Sequence, residues 1–573
     1  MANDWHPWLA NYPDHVDWNL DIPEAPLFAV LDDSVRRFPD NEAIDFLGKT
    51  YRYAELGTMV DRAATGFRAL GVETGVKVGL FLPNCPQFVI SYFGVLKAGG
   101  TVVNYSPLYS EEELTHQIED SETDIMVTLG LAALYPKMAA LLGKTRLQKL
   151  VVSSLQEVLP FPKNLLFPLI KRSEIATAPE DDRHVSFRQL LDNDGRYEVP
   201  AIDPREDVAV FQYTGGTTGA PKGAMLTHAN LHANIHQALR WNPHLEPGRE
   251  RMMGVLPFFH VFAMTVVMNF TIAIGGSIVM RPRFELDPVL QDITKKKPTL
   301  FPGVPTMYTA IVNHPKPARF DLTSIKTCMS GGAPLPVEIK RRFEALSGCQ
   351  LVEGYGLTES APIAACNPFE GVNKEGSVGM PLPGTTITIV DKDDPLKLLA
   401  QGEDGEICIA GPQVMKGYWR QEDATAEAIV EGRLRTGDVG HIDEDGYLFI
   451  IDRKKDLVLV SGYNVFPRNV EEAIYRHPAV EEVTVIGVPD DYTGEAVKAF
   501  VKLGEAGILD EDGLRAFLQD KLGRHEIPKH IEFRHELPKT MIGKLSKKEL
   551  VAEEAAKRGA TGAAPDKSPL GSG

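Results

Sequence analysis

The stretch Tyr213–Gly223, Tyr-Thr-Gly-Gly-Thr-Thr-Gly-Ala-Pro-Lys-Gly, brings three threonine hydroxyls, a lysine and four glycines into one segment. Gly215, Gly216 and Gly219 let the backbone approach a bulky anion and turn its N–H groups outward. Thr214, Thr217, Thr218 and Lys222 add side-chain donors. A polyphosphate suits such a loop. It departs from the Walker A pattern, because Lys222 follows Pro221 and precedes Gly223 rather than Ser or Thr. A plain surface loop is the alternative, and it leaves this density of donors without a purpose.

The elements that must position the loop are legible on either side of it. Asp207–Phe211 is β-branched and aromatic, the pattern of a buried strand. His228–Leu239 has helical spacing, with a cap near Thr227 or Asn230. Upstream, helical spacing at Phe28–Phe38, Tyr53–Leu70 and Gln87–Leu96 alternates with strand patterns at Lys77–Leu82, Thr101–Asn104, Asp124–Thr128 and Leu150–Ser153. This alternation predicts an α/β layer with parallel strands. A second α/β unit is expected over residues 207–381. Short alternating strands follow at Thr385–Asp391, Gly405–Ala410 and Tyr447–Asp452, consistent with a small β-barrel. From Arg453 to about Glu549 the pattern is α+β, and the tail Gly559–Gly573 reads as disordered from its Gly, Ala, Pro and Ser content.

At 573 residues the chain is too long for one core. A hydrophobic share of 43% and a charged share of 24% are those of a soluble globular protein. A net charge of −18 argues against nucleic acid as the main partner, since a phosphate backbone would be repelled. Five scattered cysteines with no CxxC favour a reducing compartment over a disulfide framework or a zinc site. The opening Met-Ala-Asn-Asp-Trp-His has no signal-peptide character, so a cytoplasmic location is expected.

Two apolar stretches bear on membranes. Met252–Met280 carries no charge and is long enough to span a bilayer, but Pro257, His260, Asn269 and Gly275-Gly276 interrupt it. It parses better as a strand to Leu256, a helix over Val261–Ile274 and a strand over Ser277–Met280. Leu159–Ile170 stands out within the polar region 155–200 and precedes Lys171 and Arg172. A loop packed on its own domain is expected there, with contact to a membrane surface or a partner as the alternative.

Further motifs follow the donor loop in order: Pro257-Phe-Phe-His260, Ser330-Gly331-Gly332-Ala333-Pro334, Gly354-Tyr355-Gly356-Leu357-Thr358-Glu359, Leu434-Arg435-Thr436-Gly437-Asp438, Asp452-Arg453-Lys454-Lys455-Asp456 and Pro538-Lys-Thr-Met-Ile-Gly-Lys544. Taken alone, Tyr355 reads as a core aromatic, His260 as a satisfied core histidine and Lys544 as a surface cation. Together they resemble the adenylate-forming superfamily of acyl-CoA synthetases, luciferases and peptide-synthetase adenylation domains. Bacterial long-chain fatty acid–CoA ligases are the most similar, and the resemblance runs from about residue 25 to about residue 552.

The resemblance implies a fold, a reaction and a set of roles. The fold is a large N-terminal domain, residues 1–451, of two α/β subdomains plus a small β-barrel. A hinge at 452–455 leads to a smaller mobile α+β domain at 456–558. The reaction joins a fatty acid, of medium to long chain, to ATP as acyl-AMP with pyrophosphate release, and then to CoA. Thr214, Gly215, Gly216, Thr217, Thr218, Gly219 and Lys222 would hold phosphates, and Gly331, Gly332, Ala333 and Gly354 would line the adenine, with Tyr355 stacked on it beside Gly356. Thr358 would meet the α-phosphate, Glu359 would hold Mg²⁺, Asp438 and Arg453 would take the ribose, Asp452 would be the pivot, His260 would line the carboxylate end and Lys544 would be the catalytic cation. A peripheral contact at the inner face of the membrane and a homodimer are compatible with it.

Three positions depart from the family's pattern. Arg433 replaces a frequent aromatic, Met264 stands where some relatives carry a gating tryptophan, and Leu545-Ser546-Lys547-Lys548 lacks the usual arginine. A ligase for aryl or short acids would share every nucleotide motif. A peptide-synthetase module would need a carrier domain after residue 550, and a non-catalytic nucleotide-binding protein would be expected to have lost Lys544, Glu359 or the threonines.

Overall fold

Val208–Thr214 is buried along most of its length and lies inside an eight-stranded sheet. Across that sheet the order is Gly417–Tyr418, Lys222–Thr227, Val208–Thr214, Thr101–Asn104, Lys77–Phe81, Thr123–Leu129, Lys149–Ser153 and His184–Ser186. From Val208–Thr214 to His184–Ser186 the strands run parallel, whereas Lys222–Thr227 returns antiparallel. Parallel strands covered on both faces must be largely apolar, which is why Lys77–Phe81, Thr101–Asn104 and Thr123–Leu129 are buried along almost their whole length, whereas the edge strand His184–Ser186 is not. Every residue of the neighbouring helix Pro86–Ala98 is buried for the same reason.

The computed structural model describes residues 6–214, 221–461, 463–490, 492–504, 507–540 and 543–561. The chain forms two compact units, residues 1–436 with 441–449, and residues 437–440 with 450–573.

In the larger unit a second sheet orders Arg251–Gly254, Ser277–Met280, Glu42–Phe46 and Lys49–Arg52. Parallel bridges through Leu300 connect Met252 to Thr327, and so to the strands Thr327–Gly331, Gln350–Gly356, Ile363–Cys366 and Met380–Pro381. The strands expected to make a small barrel form a five-stranded sheet of Thr386–Val390, Gly405–Ala410, Ile429–Val430, Arg433–Ile442 and Leu448–Arg453.

The smaller unit has its own five-stranded sheet, built around Gly494–Leu503, which pairs with Val458–Val460, Val480–Asp490 and His530–Phe533. Helices Pro467–Tyr475 and Glu511–Leu518 bury Val470, Ile474, Leu514 and Leu518 against Val485 and Val497. Leu550, from the helix Lys547–Thr561, joins a second cluster with Phe500 and Ile486.

Three expectations need correction. The helix after Leu256 contains a π-helical stretch, Ala263–Asn269, before the α-helical Phe270–Ala273. Leu159–Ile170 is not a packed loop: Lys163–Ile170 is a helix with no buried residue. The last helix continues to Thr561, into the segment read as disordered, and residues beyond it lie outside the described ones. No helix among the described residues is long and apolar enough to cross a membrane.

Candidate active site

The donor loop is the turn of a hairpin. Thr214 and Lys222 face each other at its ends, with Thr214 Oγ1 3.5 Å from the Lys222 carbonyl. Gly215, Gly216, Thr217, Thr218 and Gly219 lie outside the described residues. Lys222–Thr227 has the short strand Gly417–Tyr418 as its other neighbour, and this pairing carries in a residue the motifs did not announce. Lys222 Nζ sits 5.0 Å from the centre of the Tyr418 ring. The Tyr418 hydroxyl donates to Glu359 Oε1 at 2.7 Å. Burial, with the Glu359 carboxylate beside it, holds the Tyr418 phenol well above its usual range, so it stays a donor. Glu359 belongs to the Thr358–Ser360 turn, fixed by a bond from the Met415 N–H to the Glu359 carbonyl. Lys222, Tyr418, Thr358 and Glu359 are thereby brought into one locality.

Two parallel strands unite the glycine motifs. Gly331 is opposite Gly354, so Gly332 and Ala333 leave one strand end beside Tyr355 and Gly356 at the other. A side chain at Gly356 would collide with the Pro362 carbonyl oxygen, 1.7 Å from an added Cβ. At Gly331 an added Cβ would press on the Phe262 ring at 3.1 Å. Tyr355 itself is buried.

His260 closes a turn held from two directions. Asn84 bonds both the Leu256 carbonyl and the Phe258 N–H, each at 2.8 Å, and the Gln212 amide donates to the Phe259 carbonyl at 2.9 Å. His260 Nδ1 accepts the Phe262 N–H at 3.2 Å. Met264 is fully buried, and its sulfur lies 3.3 Å from the Asn104 amide, which also donates to Gln212. Its place is in the core.

The helix after His260 borders an apolar cavity of about 50 Å³. Met252, Val266 and Phe270 from the uncharged run form part of its wall, with Ala238, Met329 and Cys366. Met329 immediately precedes Ser330-Gly331, so the cavity shares a wall with the glycine motif.

In the smaller unit, Asp438 is buried and its Oδ1 lies 3.1 Å from Arg453 Nε. Asp452 accepts the Arg453 N–H at 2.8 Å and the Arg468 N–H at 3.0 Å. Its carboxylate therefore serves the N-terminus of Pro467–Tyr475 as a cap delivered from outside the helix. Lys544 ends a tight turn in which Gly543 has φ +84° and the Thr540 N–H meets the Lys544 carbonyl at 2.6 Å. Burial and the neighbouring Arg453 push the Lys544 ammonium down to about 8, against the opposing pull of Asp438.

The profile described as AMP-binding enzyme matches residues 31–419, and that described as AMP-binding enzyme C-terminal domain matches residues 469–544. The chain belongs to the AMP-binding enzyme family. Within that family it is 44% identical to the long-chain-fatty-acid–CoA ligase of Bacillus subtilis strain 168, over 96% of this chain and 98% of that protein. It is 37% identical to the enzyme of the same name from Escherichia coli O157:H7, over 96% and 98%. Among solved structures, ATP-bound MatB from Rhodopseudomonas palustris superposes with a TM-score of 0.81 at 29% identity, covering 93% of this chain and 99% of that one.

For this AMP-binding enzyme, sequence reasoning missed Tyr418, Asn84, Gln212 and Asn104. Tyr418 had a signal of sorts, an aromatic pair between Gly417 and Arg420. The three amides had none, because a buried amide is told from a surface one only by what covers it.

Proposed function

We propose that this AMP-binding enzyme is an ATP-dependent acid–thiol ligase acting on a fatty acid. A carboxylate oxygen of the acid attacks the α-phosphorus of ATP, the bond to the bridging oxygen breaks, and pyrophosphate leaves with that electron pair. The thiolate of CoA then attacks the acyl carbon, the acyl–oxygen bond breaks and AMP departs, the thiol proton having passed to solvent. The observation that carries the reading is the apolar cavity walled by Val266 and Phe270, from the helix that follows His260, and by Met329, next to Ser330-Gly331. Two relatives named long-chain-fatty-acid–CoA ligases over nearly their whole length support the same substrate class.

In this reading the hairpin with Thr214 and Lys222 holds phosphates, Tyr355 and Gly331–Ala333 take the adenine, and Thr358 meets the α-phosphate. Glu359 would hold Mg²⁺. Among the described residues no three His, Cys, Asp or Glu side chains gather into a metal cage. A single carboxylate fits an ion that keeps water and substrate phosphate as its other ligands. When bound, that ion offsets phosphate charge. Asp438 and Arg453 take the ribose, Lys544 supplies positive charge during adenylation, and the segment 456–558 turns about Asp452 between the half-reactions.

The test is release of AMP and pyrophosphate over a panel of acids, with and without CoA. Each methylene that stays in an apolar channel contributes about 0.8 kcal/mol, so kcat/KM should climb with chain length until the channel ends. The cavity as it stands has room for about four water-sized groups, so long chains require Val266, Phe270 or Met329 to yield. A preference for acetate or a ring acid over every fatty acid would overturn the substrate class while leaving the ligase chemistry in place.

A further inference from the structure

Phe161, Leu165, Leu166, Leu169 and Ile170 are 79%, 55%, 45%, 76% and 70% exposed. All five lie on, or just before, the helix Lys163–Ile170. Large apolar side chains normally reach the surface singly. At the 100° step of an α-helix, Leu165, Leu166, Leu169 and Ile170 fall within an arc of roughly 140°. Asn164, Phe167 and Pro168 lie on the opposite side and are half-buried. The helix is thus apolar over most of its circumference, and the arc of Leu165, Leu166, Leu169 and Ile170 is turned to solvent.

The helix is also anchored. Lys163 Nζ donates to the Leu47 carbonyl at 3.3 Å, and Lys49 Nζ donates to the Glu157 carbonyl at 2.6 Å, just before the helix. These bonds tie it to the Glu42–Arg52 region of the larger unit.

Charge identifies the occupant. Between Val158 and Ser173 there is no acidic residue, in a chain whose net charge is −18. Lys163, Lys171 and Arg172 are exposed around the apolar face, Lys171 sharing an exposed contact of 2.6 Å with Glu174. A second copy would bring the same cations to this face. A bilayer of anionic phospholipid offers the opposite sign and an apolar interior at the depth an interfacial helix reaches.

We propose that Lys163–Ile170 is a docking helix for an anionic phospholipid bilayer. Phe161, Leu165, Leu166, Leu169 and Ile170 enter the boundary between headgroups and acyl chains, while Lys171 and Arg172 meet the headgroup phosphates. The proposal stands apart from the ligase reading and does not need it.

Co-sedimentation of the full chain with vesicles tests it. Binding is expected to equimolar phosphatidylglycerol and phosphatidylcholine, weaker at high salt, and far weaker to phosphatidylcholine alone. Leu169→Ser with Ile170→Ser should lower binding about tenfold or more. Lys171→Glu with Arg172→Glu should lower it by about tenfold on the anionic vesicles only. Unfolding temperatures matching the parent show that the variants fold, and Phe161→Ser serves as an independent apolar probe if the double variant does not. Absence of binding by the parent, equal binding to neutral vesicles, or unchanged binding by the serine variants overturns the proposal. So does light scattering that shows a dimer broken by Leu169→Ser with Ile170→Ser in a parent that ignores vesicles, since a second copy would then be the occupant.

Discussion

The Tyr418 hydroxyl donates to Glu359 Oε1 at 2.7 Å while Lys222 Nζ rides over the face of the same ring. One aromatic side chain therefore orients the carboxylate proposed to hold Mg²⁺ and supports the lysine proposed to hold phosphate. Tyr418→Phe keeps the ring and removes only the donor. The Mg²⁺ concentration giving half-maximal pyrophosphate release should rise about tenfold, the scale of a lost bond to a metal ligand, with KM for the acid unchanged. An unaltered Mg²⁺ dependence would take Tyr418 out of the site.

Burial and Arg453 hold the Lys544 ammonium down to about 8, a range in which a charge-dependent step is visible. Its ammonium is present below that pH and lost above it, so kcat/KM for adenylation should hold up to about pH 8 and then fall tenfold per unit. Lys544→Ala should slow acyl-AMP formation by about 10² and abolish this break. Thioester formation from premade acyl-AMP should stay near the parent rate. Rapid-quench measurement of each half-reaction decides; equal slowing of both would discard the turning of the smaller unit.

His228, His232 and His236 lie one turn apart on His228–Trp241, and burial holds the first two down to about 4. His228 Nδ1 accepts the Leu27 N–H at 3.0 Å, which needs the neutral ring. Because the folded pKa lies below the unfolded value near 6.5, their contribution is complete above pH 6.5 and is lost as pH falls toward 4. The loss is on the order of 3 kcal/mol for each ring as an upper figure. Thermal unfolding between pH 7 and 4 should show a falling midpoint, and His232→Gln should flatten the curve. A pH-independent midpoint over that range would contradict the burial of these rings.

Ala238 contributes a small side chain to the apolar cavity. Ala238→Leu should fill part of it, leaving the unfolding temperature unchanged or raised, since a filled void ordinarily stabilises by about 0.5–2 kcal/mol. Activity should shift to shorter acids, by roughly fourfold in kcat/KM for each methylene displaced. A chain-length profile identical to the parent's would place the acyl group elsewhere.

Local pattern carried much of this molecule. Tyr53–Leu70 emerged as Tyr53–Ala69, because the helix buries one face whose spacing the side chains record, and Thr101–Asn104 emerged without change, as a short β-branched run buried throughout. Thr227 and Asn230, read as rival caps for one helix, both act: each side chain accepts the other's N–H in a reciprocal capping box. The π-helical turn at Ala263–Asn269 was not legible, since its side chains are as apolar as those of the α-helix expected there.

The sequence by itself determined which motifs are present, their order, and the strands and helices beside them, because these depend on neighbours a few residues away. Only the tertiary structure decided that Tyr418 meets Glu359, 59 residues earlier in the chain, since strand pairing brings them together and no local period encodes a partner. It likewise decided that Asn104 and Gln212 brace the His260 turn and that Met264 is core. The Lys163–Ile170 helix makes the same point from the opposite direction. Its apolar residues announced burial, but burial requires a covering surface, and the fold supplies none to Leu169 or Ile170.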